Sequence, residues 1–429
     1  HVTPKRWMAP LVDHAWGYRR KGRFSVKRVE KKDKTLVGFR ERDPRFVADL
    51  SQCLTVIPEI GTQVEALSTF IETLDGKRDI PQIEFIAGDQ AVVLTVRHLQ
   101  PLSDADRAAW AAFGQQHGFV IYLQSGGVDT VQPLDGQGVP LSFRLAPWDV
   151  ELAFRPLDFI QVNAGLNEAM IARTFELLDL QPEDRVLDLF CGLGNFTLPM
   201  ARRVREVVGV EGEAGLVARA KQNAAHNGLA NAQFHAADLT RDQRGTAWMR
   251  QGFDKLLLDP PRSGAIDVLR QLPLERFGRI VYVSCHPASL ARDAGYLVNE
   301  RGWTLADAGV MDMFPQTAHV ESIALFEKRR GKQAMGIEIE RKFLVTSDAW
   351  RGAAHRVVPM AQGYLNDLAV VQSGAQKASV RVRIEDDVAF LNIKSRELGA
   401  TRQEFELPLP VDDAHALLAL CVGGRIEKR

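Results

Sequence analysis

The sequence predicts an α/β protein: a doubly wound parallel sheet, preceded by a mixed α+β segment and followed by a partial antiparallel β segment. Three observations lead to that prediction. From Asn163 onward, apolar runs of helical and strand period alternate, as repeated βα units require. Three of the strand-like runs end in polar tips, at Asp188-Leu-Phe-Cys-Gly-Leu-Gly194, Asp259-Pro-Pro-Arg262 and Cys285-His-Pro287. After Gln333 the period becomes two, which marks antiparallel strands.

The elements follow in order. Phe24–Val29 and Leu36–Phe39 are predicted to form a hairpin, Val64–Leu74 a helix, and Ile83–Leu99 two strands around Gly88-Asp89. Ser103–Gly118 is helical with Ser103-Asp-Ala-Asp as its capping start, and Gly126–Gly138 is a turn region. Asn167–Leu178 is an amphipathic helix, Arg185–Phe190 a strand and Asn195–Arg203 a helix. Glu206–Glu211 is a strand and Ala214–Asn227 a helix, and Lys255–Asp259 and Arg279–Ser284 are buried strands. Glu338–Val345, Ser379–Ile384, Val388–Lys394 and Arg402–Pro408 alternate strictly. The expected domains are 1–145, a mixed α+β segment; 146–329, the doubly wound segment; a polar linker at 330–335; and 336–429, the β segment.

At 429 residues the chain is too long for one ordinary core. Hydrophobic and charged fractions of 45% and 25% are those of an ordinary globular protein. No apolar run reaches membrane-spanning length and no signal-peptide pattern opens the chain. Cys53, Cys191, Cys285 and Cys421 are scattered, as reduced thiols are, so a cytoplasmic protein is expected. The chain starts at His1 without an initiator Met, as a fragment or processed product would. Net charge is zero, yet residues 1–40 hold twelve Lys/Arg against three Asp/Glu, concentrated in Arg19–Arg28 with Trp16, Tyr18 and Phe24 interleaved. Such a stretch suits an RNA surface, or a solvated basic strand pair whose aromatic rings serve the core.

The polar strand tips share one chemistry. In Val186–Thr197, Gly192 and Gly194 let the backbone turn sharply beside a ligand. Glu211 ends the next strand, 23 residues after Asp188, where a carboxylate can accept both ribose hydroxyls of a nucleoside cofactor. Asp238 ends a third strand and is placed to reach an adenine edge, or to cap a helix. The loop lacks a Gly-x-Gly-x-x-Gly fingerprint, which disfavours a nicotinamide cofactor. A cysteine at a strand tip beside such a site points to pyrimidine C5 methylation with S-adenosylmethionine. Uracil C5 is a weak nucleophile, and thiolate addition at C6 moves electron density onto it. A base must then remove the C5 proton. Glu321, in Thr317-Ala-His-Val-Glu-Ser-Ile, is the best-placed candidate.

Residues 17–329 resemble the bacterial 23S ribosomal RNA uracil-5-methyltransferases, in particular the branch that acts at uracil 1939. The resemblance runs through Trp16-Gly-Tyr-Arg-Arg, Asp158-Phe-Ile-Gln-Val-Asn-Ala-Gly165, Val186–Thr197, Val210-Glu-Gly, Gly252-Phe-Asp, Asp259-Pro-Pro-Arg, Ser284-Cys-His-Pro-Ala and Met311-Asp-Met-Phe-Pro. It implies that Cys285 is the nucleophile and Glu321 the base. It further implies that Gln161, Phe190, Asn195, Glu211, Asp238 and Asp259 line the cofactor and target-base sites, on a monomeric enzyme that binds S-adenosylmethionine and 23S ribosomal RNA. His286 stands where such proteins usually carry Asn. They usually begin with a small RNA-binding barrel and a [4Fe–4S] centre. Cys53 matches one of its ligands, and the other three would precede His1, so this chain is not expected to hold a four-thiolate cluster.

Met335-Gly-Ile-Glu-Ile-Glu-Arg-Lys-Phe-Leu-Val345 resembles the opening of a CYTH, or triphosphate tunnel, domain. Alternation puts Glu338, Glu340 and Lys342 on one face, where carboxylates could hold Mg²⁺ or Mn²⁺ and the lysine a phosphate. Arg381, Arg383, Lys394, Arg402, Glu404 and Glu406 recur at similar spacing. The closing strands of such a tunnel are not expected within residues 336–429. Alternatives to methyl transfer are a metal-dependent triphosphatase or cyclase of this segment, or an RNA-binding remnant without turnover.

Overall fold

The structure is a computed structural model that describes residues 2–328, 336–339, 358–386, 388–395 and 401–428. The chain divides into two compact units, residues 1–328 and 329–429.

In the first unit the strands are Arg6–Trp7 (β1), Lys21–Val29 (β2), Lys34–Gly38 (β3), Gln82–Ala87 (β4), Val92–Arg97 (β5), Phe119–Gln124 (β6), Gln132–Pro133 (β7), Ser142–Leu145 (β8) and Val150–Ala153 (β9). There follow Arg185–Leu189 (β10), Glu206–Glu211 (β11), Ala232–Ala236 (β12), Lys255–Leu258 (β13), Arg279–Ser284 (β14), Trp303–Met311 (β15) and Glu321–Lys328 (β16). One sheet has the order β3-β2-β4-β5-β6-β7. Its alternation divides two cores. Ile83, Phe85, Leu94 and Val96 pack with Leu67, Ile71 and Trp110 from helices Val64–Glu72 and Asp104–His117, while Ile86 and Val93 face the core of the larger sheet.

The larger sheet has the order β1-β15-β16-β14-β13-β10-β11-β12. Its central strands are apolar on both faces because both are covered. Val186, Val207, Leu257, Val281 and Val283 enter one core, and Leu187, Val208, Leu256, Leu258, Ile280 and Tyr282 enter the other. From β12 to β14 every pairing is parallel.

Three features depart from the expectation. The sheet is not wholly parallel, because β16 runs antiparallel to β14 and β15. Only residues 312–320 connect β15 to β16, too short for a crossover and long enough for a reversal. The first segment is not confined to residues 1–145 as one body: β1 pairs with Asp307 and Ala308 at the edge of the larger sheet, and Arg6 Nε meets Asp307 at 2.6 Å. The helix expected over 195–203 is reduced to Thr197–Ala201, since Gly194 is left-handed (φ +92°) and Pro199 lacks an amide donor.

The second unit holds Gly336–Ile339 (β17), Met360–Tyr364 (β18), Ala378–Glu385 (β19), Val388–Ser395 (β20), Thr401–Leu409 (β21) and Val422–Lys428 (β22), in the order β17-β21-β20-β19-β18-β22. All its pairings are antiparallel. Ala361, Val382, Ile384 and Ala389 form a small core with Ala414 and Leu418 of helix Val411–Leu418.

Candidate active site

A cavity of about 530 Å³ opens at the carboxyl edge of the parallel strands, where such sheets bind ligands. Gln161, Phe190, Gly192, Asn195, Glu211, Asp259, Arg262, Cys285 and Glu321 all line it. The sequence separates these residues by up to 160 positions, and the strand ends gather them.

At the end of β10 the backbone turns through three left-handed residues, Phe190 (φ +66°), Gly192 (φ +55°) and Gly194 (φ +92°). A Cβ on Gly194 would stand 3.0 Å from Leu198 Cγ, so glycine is required there for space as well as conformation. Phe190 holds that conformation without being glycine, a strain that is concentrated at functional sites. Glu211, ending β11, lies against this loop: Gly192 N donates to its Oε2 at 3.1 Å and Glu213 N to its Oε1 at 3.0 Å. Asp188 is fully buried beneath the loop. Thr197 Oγ1 donates to its Oδ2 at 2.6 Å, and its Oδ1 has no protein partner. Burial, with a contribution from Glu211, pushes its carboxyl up to about 7.

The opposite wall is carried by residues 157–163. Asn163 caps helix Ala164–Leu178 by accepting from Leu166 N at 3.1 Å. Asn167, one turn on, exchanges amide hydrogen bonds with Asn195 at 2.9 and 2.8 Å. Arg20 Nε donates to the Gln161 carbonyl at 2.9 Å, and Lys21 Nζ donates to the carbonyls of Leu157 and Asp158. These two members of the basic stretch therefore support the cavity wall. Phe24 and Tyr18 are buried, as rings that serve the core are, while Trp16 is exposed.

The third wall comes from β13, β14 and β16. In the β14/β16 register Ser284 stands opposite Ser322, so Cys285, one residue beyond, and Glu321, one residue before, face each other at the sheet edge. This follows from the antiparallel direction of β16, which brings the start of that strand to the ends of the others. Burial pushes Glu321 up to about 7. Asp259 is raised further, by burial first and then by the charges of Glu321 and Asp188. Burial, Glu321 and Asp259 also raise the Cys285 thiol, while Arg262 opposes them. Burial and the neighbouring carboxyl groups thus both disfavour the thiolate.

His286, next to Cys285, is the N-cap of helix Pro287–Gly295: its Nδ1 accepts from Ser289 N at 3.3 Å, the function an Asn amide oxygen performs at a cap. Asp293, in the same helix, is buried and accepts from Tyr282 Oη and Ala265 N, both at 2.7 Å, which ties the Asp259–Arg262 loop to β14.

Not every expected residue joins the cavity. Asp238 lies beyond β12 and outside the lining, with its carboxylate taken by Thr240 N at 3.0 Å, Thr240 Oγ1 at 2.6 Å and Arg241 at 3.1 Å. Cys53 Sγ sits 3.4 Å from Thr55 Oγ1. Among the described residues no group of three His, Cys, Asp or Glu is arranged to hold a metal. Glu338 lies in β17 opposite Arg402, while Glu340 and Lys342 lie outside the described residues. Arg383, which the period-two pattern picked out, meets Glu406 at 3.3 Å. Phe159, Asn167 and Arg262 were not singled out, although Phe159 and Arg262 stand within the Asp158-Phe-Ile-Gln and Asp259-Pro-Pro-Arg motifs. For Asn167 the signal was an amide on the apolar side of an amphipathic helix.

The donor set fits S-adenosylmethionine: a cavity of nucleoside size, a carboxylate at the end of β11, and a loop with two left-handed glycines. Residues 64–329 match the family model of the tRNA (uracil-5-)-methyltransferases, and residues 336–429 match that of the CYTH domain. A 23S rRNA (uracil(1939)-C(5))-methyltransferase of Stenotrophomonas maltophilia is 85% identical over 329 residues, covering 77% of this chain and 74% of that protein. One of Xanthomonas axonopodis is 75% identical with the same coverage. The crystal structure of Pyrococcus abyssi tRNA (uracil-54, C5)-methyltransferase in complex with S-adenosyl-L-homocysteine superposes with a TM-score of 0.57 at 24% identity, covering 73% of this chain and 76% of that one, which shows a shared fold.

Proposed function

The chain belongs to the tRNA (uracil-5-)-methyltransferase family, and from that premise we propose that it methylates C5 of uracil 1939 in 23S ribosomal RNA through a covalent bond from Cys285 to C6. The enzyme class and the use of S-adenosylmethionine follow from family membership and from relatives at 75–85% identity. The observation that carries the covalent reading is the convergence of Cys285, Glu321 and Asp259 on one cavity wall beside the glycine loop.

When bound, S-adenosylmethionine supplies an electrophilic methyl group. The protein's own part is to make uracil C5 nucleophilic and then to restore it. Cys285 loses its proton and adds to C6, and the π electrons move through C5 toward the C4 carbonyl oxygen. Asp259, whose carboxyl burial raises well above its ordinary value, is suited to supply an O–H donor for a uracil carbonyl as that charge develops. After C5 has accepted the methyl group, Glu321 takes the C5 proton. The C5–C6 double bond re-forms and the thiolate leaves. A carboxyl that titrates at about 7 suits a group that must accept a proton near neutral pH. A uracil within folded RNA must leave its stack to reach this wall.

No helix among the described residues is long and apolar enough to cross a membrane. A ribosomal RNA substrate supports a cytoplasmic place of action.

Labelled methyl transfer from S-adenosylmethionine to unmodified 23S RNA tests the reading. Cys285→Ala is expected to lose transfer by roughly a thousandfold or more, as loss of a nucleophile does, while still binding S-adenosylhomocysteine. Glu321→Gln is expected to accumulate a denaturant-stable protein–RNA adduct that carries the new methyl group. Undiminished transfer by Cys285→Ala would rule out the covalent route.

A further inference from the structure

We propose that a stripe of cations and rings, running out of the catalytic cavity, binds the single RNA strand that flanks the target uracil. The inference rests on the RNA methyltransferase reading above and assigns a second surface to the same substrate.

The stripe begins at Arg262, in the cavity lining. Arg262 Nη2 meets His319 Nδ1 at 3.1 Å. The His319 ring lies 5.5 Å from that of Phe314, and the Arg19 guanidinium stands 5.3 Å over the other side of the contact, at the Phe314 ring centre. Arg19 in turn is 5.9 Å from the ring of Phe39, on the first sheet. Five side chains from four separate segments thus form one continuous series, with Arg262 and His319 exposed and the others half-buried.

Two other arginines of the basic stretch are held by carboxylates. Arg23 is paired with Glu84 at 2.9 Å and Arg28 with Glu72 at 2.7 Å. Arg19 and Arg262 have no salt bridge among the described residues, and Arg262 lines the cavity. The loop that carries Phe314 and His319 is held in place. Tyr18 Oη donates to the Pro315 carbonyl and Thr317 Oγ1 to the Phe314 carbonyl, both at 2.8 Å, and Gln316 is left-handed at φ +66°. A preorganised surface loses little entropy when a ligand settles on it.

The chemistry fits a single strand better than a duplex. When the target uracil leaves its stack, the nucleotides beside it each lose a stacking partner at the cavity mouth. Aromatic and imidazole faces replace that stacking, and unpaired guanidinium groups meet the phosphates between the bases. A duplex hides its base faces and would use only the charges.

The test is the affinity of the full chain for an unmodified 23S RNA fragment containing uracil 1939, at several salt concentrations, beside the affinity for S-adenosylhomocysteine. Phe314→Leu is expected to weaken RNA binding about tenfold, the lower end of what one base stack contributes, and Phe314→Tyr to retain it. Arg19→Gln is expected to weaken binding and to lower the slope of log affinity against log salt by about 1. Both should leave S-adenosylhomocysteine affinity unchanged. Arg244→Gln, which removes an exposed cation remote from the stripe and paired with Asp242, should change neither. Unchanged RNA affinity in both stripe variants would overturn the proposal. So would losses that appear only together with lost S-adenosylhomocysteine affinity and a lower melting temperature, because the stripe would then be architectural. Wild-type chain that binds the RNA but transfers no methyl group would defeat the methyltransferase reading while leaving this test valid.

Discussion

Glu321 is a buried position that bears on both the proposed reaction and the stability of the fold. Its carboxyl titrates at about 7 because burial penalises the charged form. The base form therefore grows in as pH rises through 7, and the raised Cys285 thiol moves the thiolate fraction in the same direction. Single-turnover methyl transfer is expected to climb from pH 6 to pH 9. A rate that is flat or falls across that range would remove both groups from the rate-determining chemistry. Stability runs the opposite way. A raised carboxyl value stabilises the fold below its ordinary titration range, and that contribution is lost as pH approaches 7. Glu321→Gln is thus expected to be more stable than the wild type at pH 8, by up to about 3 kcal/mol, and to show no such gain near pH 4 in denaturant titrations. The residue types at this site were legible in the sequence. Their protonation was not, because burial depends on what packs around the strand tips.

At the scale of elements, the glycine loop and the nucleophile helix each depend on local backbone chemistry. Gly194→Ala forces a Cβ into a left-handed position 3.0 Å from Leu198. It should destabilise by about 1–2 kcal/mol and weaken S-adenosylhomocysteine binding in calorimetry, and unaltered affinity would show that the loop does not shape the cofactor site. His286 caps the helix that follows Cys285, so His286→Ala should cost about 1 kcal/mol and His286→Asn little. Thermal melts of the two variants separate capping from any role in the reaction. The βα alternation and the glycine loop were readable from periodicity and composition. The reversal of β16 was not read, although the short connection at 312–320 was its signal. That reversal brings Glu321 opposite Cys285.

For the whole molecule, the cavity draws every lining residue from residues 143–321, within the first compact unit. A chain ending at Lys328 is expected to fold and to keep wild-type affinity for S-adenosylhomocysteine, measured by calorimetry. Lost affinity would make the second unit part of the cofactor site. The place of the chain's first strand at the edge of the larger sheet was invisible to segmental reading, because β1 is two residues long and its partners lie some 300 positions away. The inward turn of Arg20 and Lys21 was equally hidden. A basic stretch looks solvated in sequence, and only the backbone carbonyls of 157–161 show what two of its members bind.

By itself the sequence determined the fold class and the family. Each of these is carried by local periodicity and by short ordered motifs, which survive without knowledge of distant contacts. Tertiary structure alone decided that Asp238 stands outside the cavity, that Cys285 and Glu321 face each other, and that Arg19 joins Phe314 and His319 in one surface. Those outcomes depend on strand direction, burial and the meeting of segments far apart in the chain, which are settled by packing free energy shared across the whole unit.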